Sequence, residues 1–148
     1  MQLREIMTEG VITAPADANV LTVARQMRDR GVGSVVLTDS GGVPQAMITD
    51  RDLATRVLAE ERSGSEEAGE HASRPLVGGE PEMDLEEAAA LMVRHRIRRL
   101  PVLKEGKLIG IVTLDDIAVR TGNLEVAQRM TAQVIEGALP GFFFHERG

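Results

Sequence analysis

Two stretches of the chain, 64 residues apart, carry the same pattern of side chains. Residues 46–53 read Ala-Met-Ile-Thr-Asp-Arg-Asp-Leu, and residues 110–117 read Gly-Ile-Val-Thr-Leu-Asp-Asp-Ile. Each runs in order through a small residue, two apolar residues, Thr, two further positions, Asp and an aliphatic residue. The match extends outward. At an offset of 65, Asn19-Val20 meets Asp84-Leu85, Ala24 meets Ala89, Met27 meets Met92, Val32 meets Ile97 and Asp39 meets Lys104. One residue fewer in the second turn, Gly106 against Gly41-Gly42, moves the offset to 64. Thr49 then falls on Thr113, Asp52 on Asp116 and Arg56 on Arg120. The lead-in segments correspond too, Glu5-Ile6-Met7-Thr8 with Glu70-His71-Ala72-Ser73. A repeat constrains the fold more than any local propensity. Two copies argue for a pseudo-two-fold pair rather than a solenoid.

Within each copy the apolar residues alternate between helical and strand spacing. Val11-Ile12-Thr13 and Leu76-Val77 predict short strands. A helix follows each, with Val20, Val23, Ala24, Met27 on one apolar face of the first and Leu85, Ala88, Ala89, Met92 on that of the second. Asn19 and Asp84 stand at the N-cap positions, and Asp84 with Glu87 has the spacing of a capping box. Val35-Val36-Leu37 and Met47-Ile48 then flank a Gly-containing turn, as do Leu100–Leu103 and Leu108–Val112, which predicts two hairpins. A second helix starts after each motif Thr. The expected class is therefore α+β, with two repeats of strand-helix-strand-strand-helix. The expected division is a first repeat over 1–60, a polar, mobile link over 61–69, a second repeat over 70–122, and a C-terminal helix with an aromatic tail, Phe142–Phe144, over 123–148.

Composition narrows the class. At 148 residues with 43% apolar content, three Phe and no Trp or Tyr, the core is aliphatic. The absence of Cys excludes disulfides, thiolate metal sites and cysteine nucleophiles. No run approaches the roughly 20 apolar residues of a membrane span. The first ten residues do not read as a secretory signal, so a cytoplasmic protein is expected. A formal net charge of −6 disfavours a nucleic-acid surface. His71, His95 and His145 lie far apart and lack metal-ligand spacing, so no metal is expected.

Taken in order, Met7-Thr8, the Pro15–Val20 helix start, Arg98-Arg99-Leu100-Pro101-Val102 and the run Gly110–Ile117 resemble a tandem pair of CBS domains, also called a Bateman module, over about residues 3–121. The resemblance implies two packed three-stranded sheets, a homodimer, and a regulatory or sensory module. Such a module binds an adenine nucleotide or adenosyl ligand in the cleft between its repeats. AMP, ADP, ATP or S-adenosylmethionine are the implied ligands, with no required cofactor and with a downstream protein partner of unknown identity. Residue by residue, it implicates Thr49, Asp52, Thr113 and Asp116 in ribose and phosphate contacts. The backbone of Val11, Ile12, Leu76 and Val77 would read adenine. Arg98 and Arg99 would reach the phosphate of the nucleotide whose ribose the other repeat holds. The first repeat has uncharged Gly33 and Ser34 at the matching positions, which implies two unequal pockets.

The residues themselves support the chemistry and also a plainer alternative. A carboxylate suits vicinal hydroxyls because charge-assisted hydrogen bonds are roughly twice as strong as neutral ones. Yet Thr three residues before Asp, at a strand-to-helix junction, is also ordinary N-cap chemistry. Arg94 and His95 fit a helix C-terminus, where cations complement the dipole. No nucleophile–base order, P-loop or dinucleotide fingerprint is present, so no enzyme is expected. The competing reading is a structural interaction module with no small-molecule ligand.

Overall fold

The computed structural model describes residues 1–121, with side chains to Ile117. The expected C-terminal helix and the tail Phe142–Phe144, over 123–148, lie outside the described residues. The rest separates into two compact units. One is Val11–Leu76; the other joins Met1–Gly10 to the chain from Val77 onward.

In the Val11–Leu76 unit, the run Val35-Val36-Leu37 is buried on both faces, as a central strand requires. It lies in β2 (Ser34–Thr38), between β1 (Thr13–Pro15), which pairs with it in parallel, and β3 (Pro44–Thr49), which is antiparallel. The β2–β3 turn is closed by Asp39, whose Oδ1 accepts from the amides of Gly41 and Val43, each at 2.9 Å. Between β1 and β2 runs α1 (Val20–Arg30). The Asn19 side chain caps it by accepting from the Thr22 amide at 2.8 Å, and Gly31 ends it at φ 66°. Val20, Val23 and Met27 face the sheet residues Val35, Leu37, Ala46 and Ile48 in one core. After β3, α2 (Asp50–Asp52) continues into a π-helical stretch, Leu53–Leu58.

Two expectations shift here. The first strand is Thr13–Pro15 rather than Val11–Thr13, although the Ile12 carbonyl already accepts from Val36 at 3.1 Å. Pro15 donates nothing to the ladder, which an edge strand tolerates. Residues 61–69, expected as a mobile link, are stitched to this unit by backbone bonds. Gly64 and Glu66 carbonyls accept from Leu21 and Val20, the Ala68 and Gly69 amides donate to Ala18 and Ala16, and Ala68 is fully buried. The segment closes in a 3-10 turn, Ala68–Glu70, where His71 Nε2 lies 2.9 Å from Glu66 Oε1. That hydrogen bond holds the Glu66 carboxyl below its usual range.

The other unit opens with a helical turn, Leu3–Ile6, whose Leu3 and Ile6 side chains sit at 0% and 1% exposure in the core. They pack with Ala88 and Met92 of α3 (Leu85–His95), Leu100 and Val102 of β4 (Arg99–Lys104), Val112 of β5 (Lys107–Thr113), and Leu114 and Ile117 of α4 (Leu114–Thr121). The β4–β5 hairpin turns on Glu105 and Gly106 at φ 51° and 78°, both left-handed, as a type I′ turn requires. Arg96 ends α3 at φ 56°, the left-handed position held by Gly31 in the first repeat.

This unit corrects two further expectations. Its sheet has two strands among the described residues, not three. Leu76-Val77 forms no strand; the backbone reaches β4 only at Gly79, in a single parallel bridge to Val102. A Cβ on Gly79 would stand 2.8 Å from Leu3 Cδ1 and 3.1 Å from Leu100 Cδ2, so close packing demands glycine there and weakens the strand. The capping box at Asp84 is not made either. Its side chain forms no cap bond; Asp84 instead bridges to Gln2, and the Leu85 amide donates to the Met1 carbonyl.

The lead-in segments exchange places. Thr8 pairs with Ile111 of β5 through mutual amide–carbonyl bonds of 2.9 and 3.0 Å. Ser73 pairs in the same way with Met47 of β3 at 2.9 and 3.3 Å. Each lead-in thus edges the hairpin of the other repeat.

Candidate functional site

Each hairpin's second strand ends in Thr, and the following helix begins at once. The Thr therefore becomes the N-cap, and the Asp three positions on becomes the last residue of the first turn. In the Val11–Leu76 unit the Asp52 amide donates to Thr49 Oγ1 at 3.1 Å, and the Thr49 amide donates to Asp52 Oδ2 at 2.9 Å. In the other unit the Asp116 amide donates to Thr113 Oγ1 at 3.0 Å, and the Thr113 amide to Asp116 Oδ2 at 2.9 Å. Both are reciprocal capping boxes. The repeat has preserved the hydrogen-bond geometry as well as the residues.

A capping box uses one carboxylate oxygen. The other, Oδ1, differs between the two copies. Asp52, at 8% exposure, is the buried charged residue among those described, and its Oδ1 lies 3.7 Å from Arg56 Nε. The Arg56 guanidinium is itself anchored, Nη1 donating to the His71 carbonyl at 3.2 Å and the Ala72 carbonyl at 3.5 Å. Asp116 is only partly buried, and its Oδ1 receives the Thr8 hydroxyl at 3.5 Å. One carboxylate thus keeps an oxygen with no hydrogen bond among the described residues, facing a cation. The other already has a neutral donor at the limit of bonding distance.

Arg99 opens β4 in register with Thr113, and the Arg98 carbonyl accepts from the Leu114 amide at 3.3 Å. The basic pair therefore stands at the strand end that carries Thr113 and Asp116. Neither guanidinium forms an ion pair with the described residues. The matching strand end in the other unit has Gly33, whose carbonyl accepts from Asp50, and Ser34, paired with Thr49. The adenine-reading backbone expected at Val11 and Ile12 flanks β1, with the Ile12 carbonyl already engaged by β2. At Leu76 and Val77 no strand supports it. Sequence reasoning gave no role to Arg56 or Thr8. Their signals were the Arg56–Arg120 and Thr8–Ser73 matches within the repeat.

The two halves form a doubled α+β scaffold, with one Thr–Asp box at the strand-to-helix junction of each. The CBS domain family model matches residues 3–59 and 68–120, and the chain belongs to that family as a tandem pair. The CBS domain-containing protein YhcV of Bacillus subtilis is 38% identical over 125 residues, spanning 84% of this chain and 89% of YhcV. Two solved structures share the fold. The CBS domain protein PAE2072 from Pyrobaculum aerophilum complexed with AMP superposes with a TM-score of 0.77 at 23% identity, over 87% of this chain and 99% of that one. The CBS domain pair of protein MJ0100, in complex with 5-methylthioadenosine and S-adenosyl-L-methionine, superposes with a TM-score of 0.74 at 22% identity, over 82% and 96%. No helix among the described residues is long and apolar enough to cross a membrane.

Proposed function

We propose that the chain is a ligand-sensing regulatory module for an adenine nucleotide or adenosyl compound, and that it performs no chemistry on it. The carrying observation is the Asp52 carboxylate. Its Oδ2 is fixed by the Thr49 amide, while Oδ1 keeps its acceptor capacity for a ribose hydroxyl. The AMP, methylthioadenosine and S-adenosylmethionine held by PAE2072 and MJ0100 support the adenosyl class. Arg98 and Arg99, without ion partners among the described residues, suit a phosphorylated member of it.

The boxes also favour the second reading, an interaction module without a ligand, because each is complete as a helix cap through its own amides and side chains. A thermal-shift panel of AMP, ADP, ATP, NADH and S-adenosylmethionine separates the two. A ligand at 100-fold excess over its Kd stabilises the fold by about 2.7 kcal/mol and is recovered unchanged afterwards. A flat panel supports the interaction module instead.

We further propose a homodimer. Leu21 and Leu58, at 46% and 77% exposure, leave large apolar side chains in solvent on the Val11–Leu76 unit. Light scattering at tens of micromolar should return twice the chain mass; the mass of one chain would remove this proposal.

A further inference from the structure

The geometry points to a divalent transition-metal site, of the class that takes Zn²⁺, formed by Glu66, Glu70 and His71. Each of the three offers one ligand atom, and these atoms all lie within 4.8 Å of one another. His71 Nε2 and Glu66 Oε1 are already 2.9 Å apart. Two ligands about 2.0–2.2 Å from a tetrahedral zinc stand roughly 3.3 Å from each other, so this pair is close to one edge of the polyhedron. The Glu70 carboxylate is exposed, has no partner among the described residues, and is free to swing in.

The imidazole decides the metal class. Calcium and magnesium take all-oxygen shells, whereas one nitrogen with two carboxylates suits zinc and its neighbours in the first transition row. Three protein ligands leave a fourth position for water. Ligation needs the lone pair on Nε2, so the ring takes the Nδ1–H tautomer and the His71–Glu66 hydrogen bond gives way to the shared ion. Glu66 also meets Arg62 at 4.0 Å, an exposed contact that is easily surrendered.

The backbone beneath the three side chains is fixed in advance. Glu66, Ala68 and Gly69 are bonded to Val20, Ala18 and Ala16, and the His71 carbonyl is held by Arg56. The His71 side chain is 11% exposed and the Glu66 side chain 24%. An ion here would fasten residues 66–71 to the unit they already pack against. Nothing in this depends on an adenosyl ligand.

The test is calorimetric titration of zinc chloride, with magnesium chloride as a control, into the full chain stripped of metal by chelator. One zinc per chain and no heat from magnesium are expected. His71→Ala and the exposed Glu70→Gln should each weaken binding by at least about tenfold, while His95→Ala leaves it unchanged. Cobalt(II) added in place of zinc should give visible absorption bands that His71→Ala abolishes. Absence of zinc binding overturns the proposal. So does binding that survives in either His71→Ala or Glu70→Gln, the second case excluding the three-ligand site even if His71 matters.

Discussion

Asp52→Asn should weaken AMP binding roughly ten- to a hundredfold, and Asp116→Asn should weaken it much less. Asparagine can still accept from the Thr49 amide through its side-chain carbonyl, so the cap survives, while the Oδ1 acceptor facing Arg56 becomes an NH2 donor and the charge is lost. Removing one charge-assisted hydrogen bond typically costs about 1.5–3 kcal/mol, which gives that range of affinity. The asymmetry follows from Oδ1. On Asp52 it has no hydrogen-bond donor among the described residues, whereas on Asp116 it already receives the Thr8 hydroxyl. Arg99→Ala should weaken binding of a phosphorylated ligand and change little for 5-methylthioadenosine, which lacks phosphate. Calorimetry on the three variants, with far-ultraviolet circular dichroism to verify folding, reads these differences. Equal losses from the two Asp variants would show that the Oδ1 environment does not matter. Tighter AMP binding by Arg99→Ala would remove its phosphate role.

Leu3→Ala should cost about 2–5 kcal/mol of stability, a large effect for a single side chain. Leu3 is fully buried against a core drawn from the second repeat, including Leu100, Val102 and Val112. A native domain holds only about 5–15 kcal/mol in reserve. The loss should also be local. Amide exchange in β4 and β5 should accelerate, while β2 and β3, whose core contains neither Leu3 nor Ile6, stay protected. Faster exchange confined to β2 and β3 would contradict this placement of the N-terminal segment.

The contrast shows what a sequence carries and what it hides. The hairpins, the Asn19 cap and the two Thr–Asp boxes were legible because each rests on side chains within a few residues of one another. The exchange of lead-ins was not. Matching Glu5–Thr8 to Glu70–Ser73 revealed a repeated element, but the partners of Thr8 and Ser73, Ile111 and Met47, are distant in sequence and joined by backbone alone. The same blindness applies to residues 61–69, whose polar composition reads as a link while the Gly64 and Glu66 carbonyls and the Ala68 and Gly69 amides bond to residues 16–21. At Gly79 and Asp84, tertiary packing overrode local preference: the approach of Leu3 and Leu100 in one case, the bridge to Gln2 in the other. Among the histidines alone His71 is isolated in sequence; the groups near it in the fold are the carboxylates of Glu66 and Glu70.

A repeated Thr–Asp junction that is a ligand site, and not only a helix cap, should bind an adenosyl compound through its carboxylates. The decisive experiment titrates AMP, and then S-adenosylmethionine, into the native chain and into the double variant Asp52→Asn/Asp116→Asn. Saturable binding of at least one adenosyl compound to the native chain, lost in a double variant that remains folded, is the predicted result. Undetectable binding of both compounds, or binding that the double variant retains in full, would contradict it.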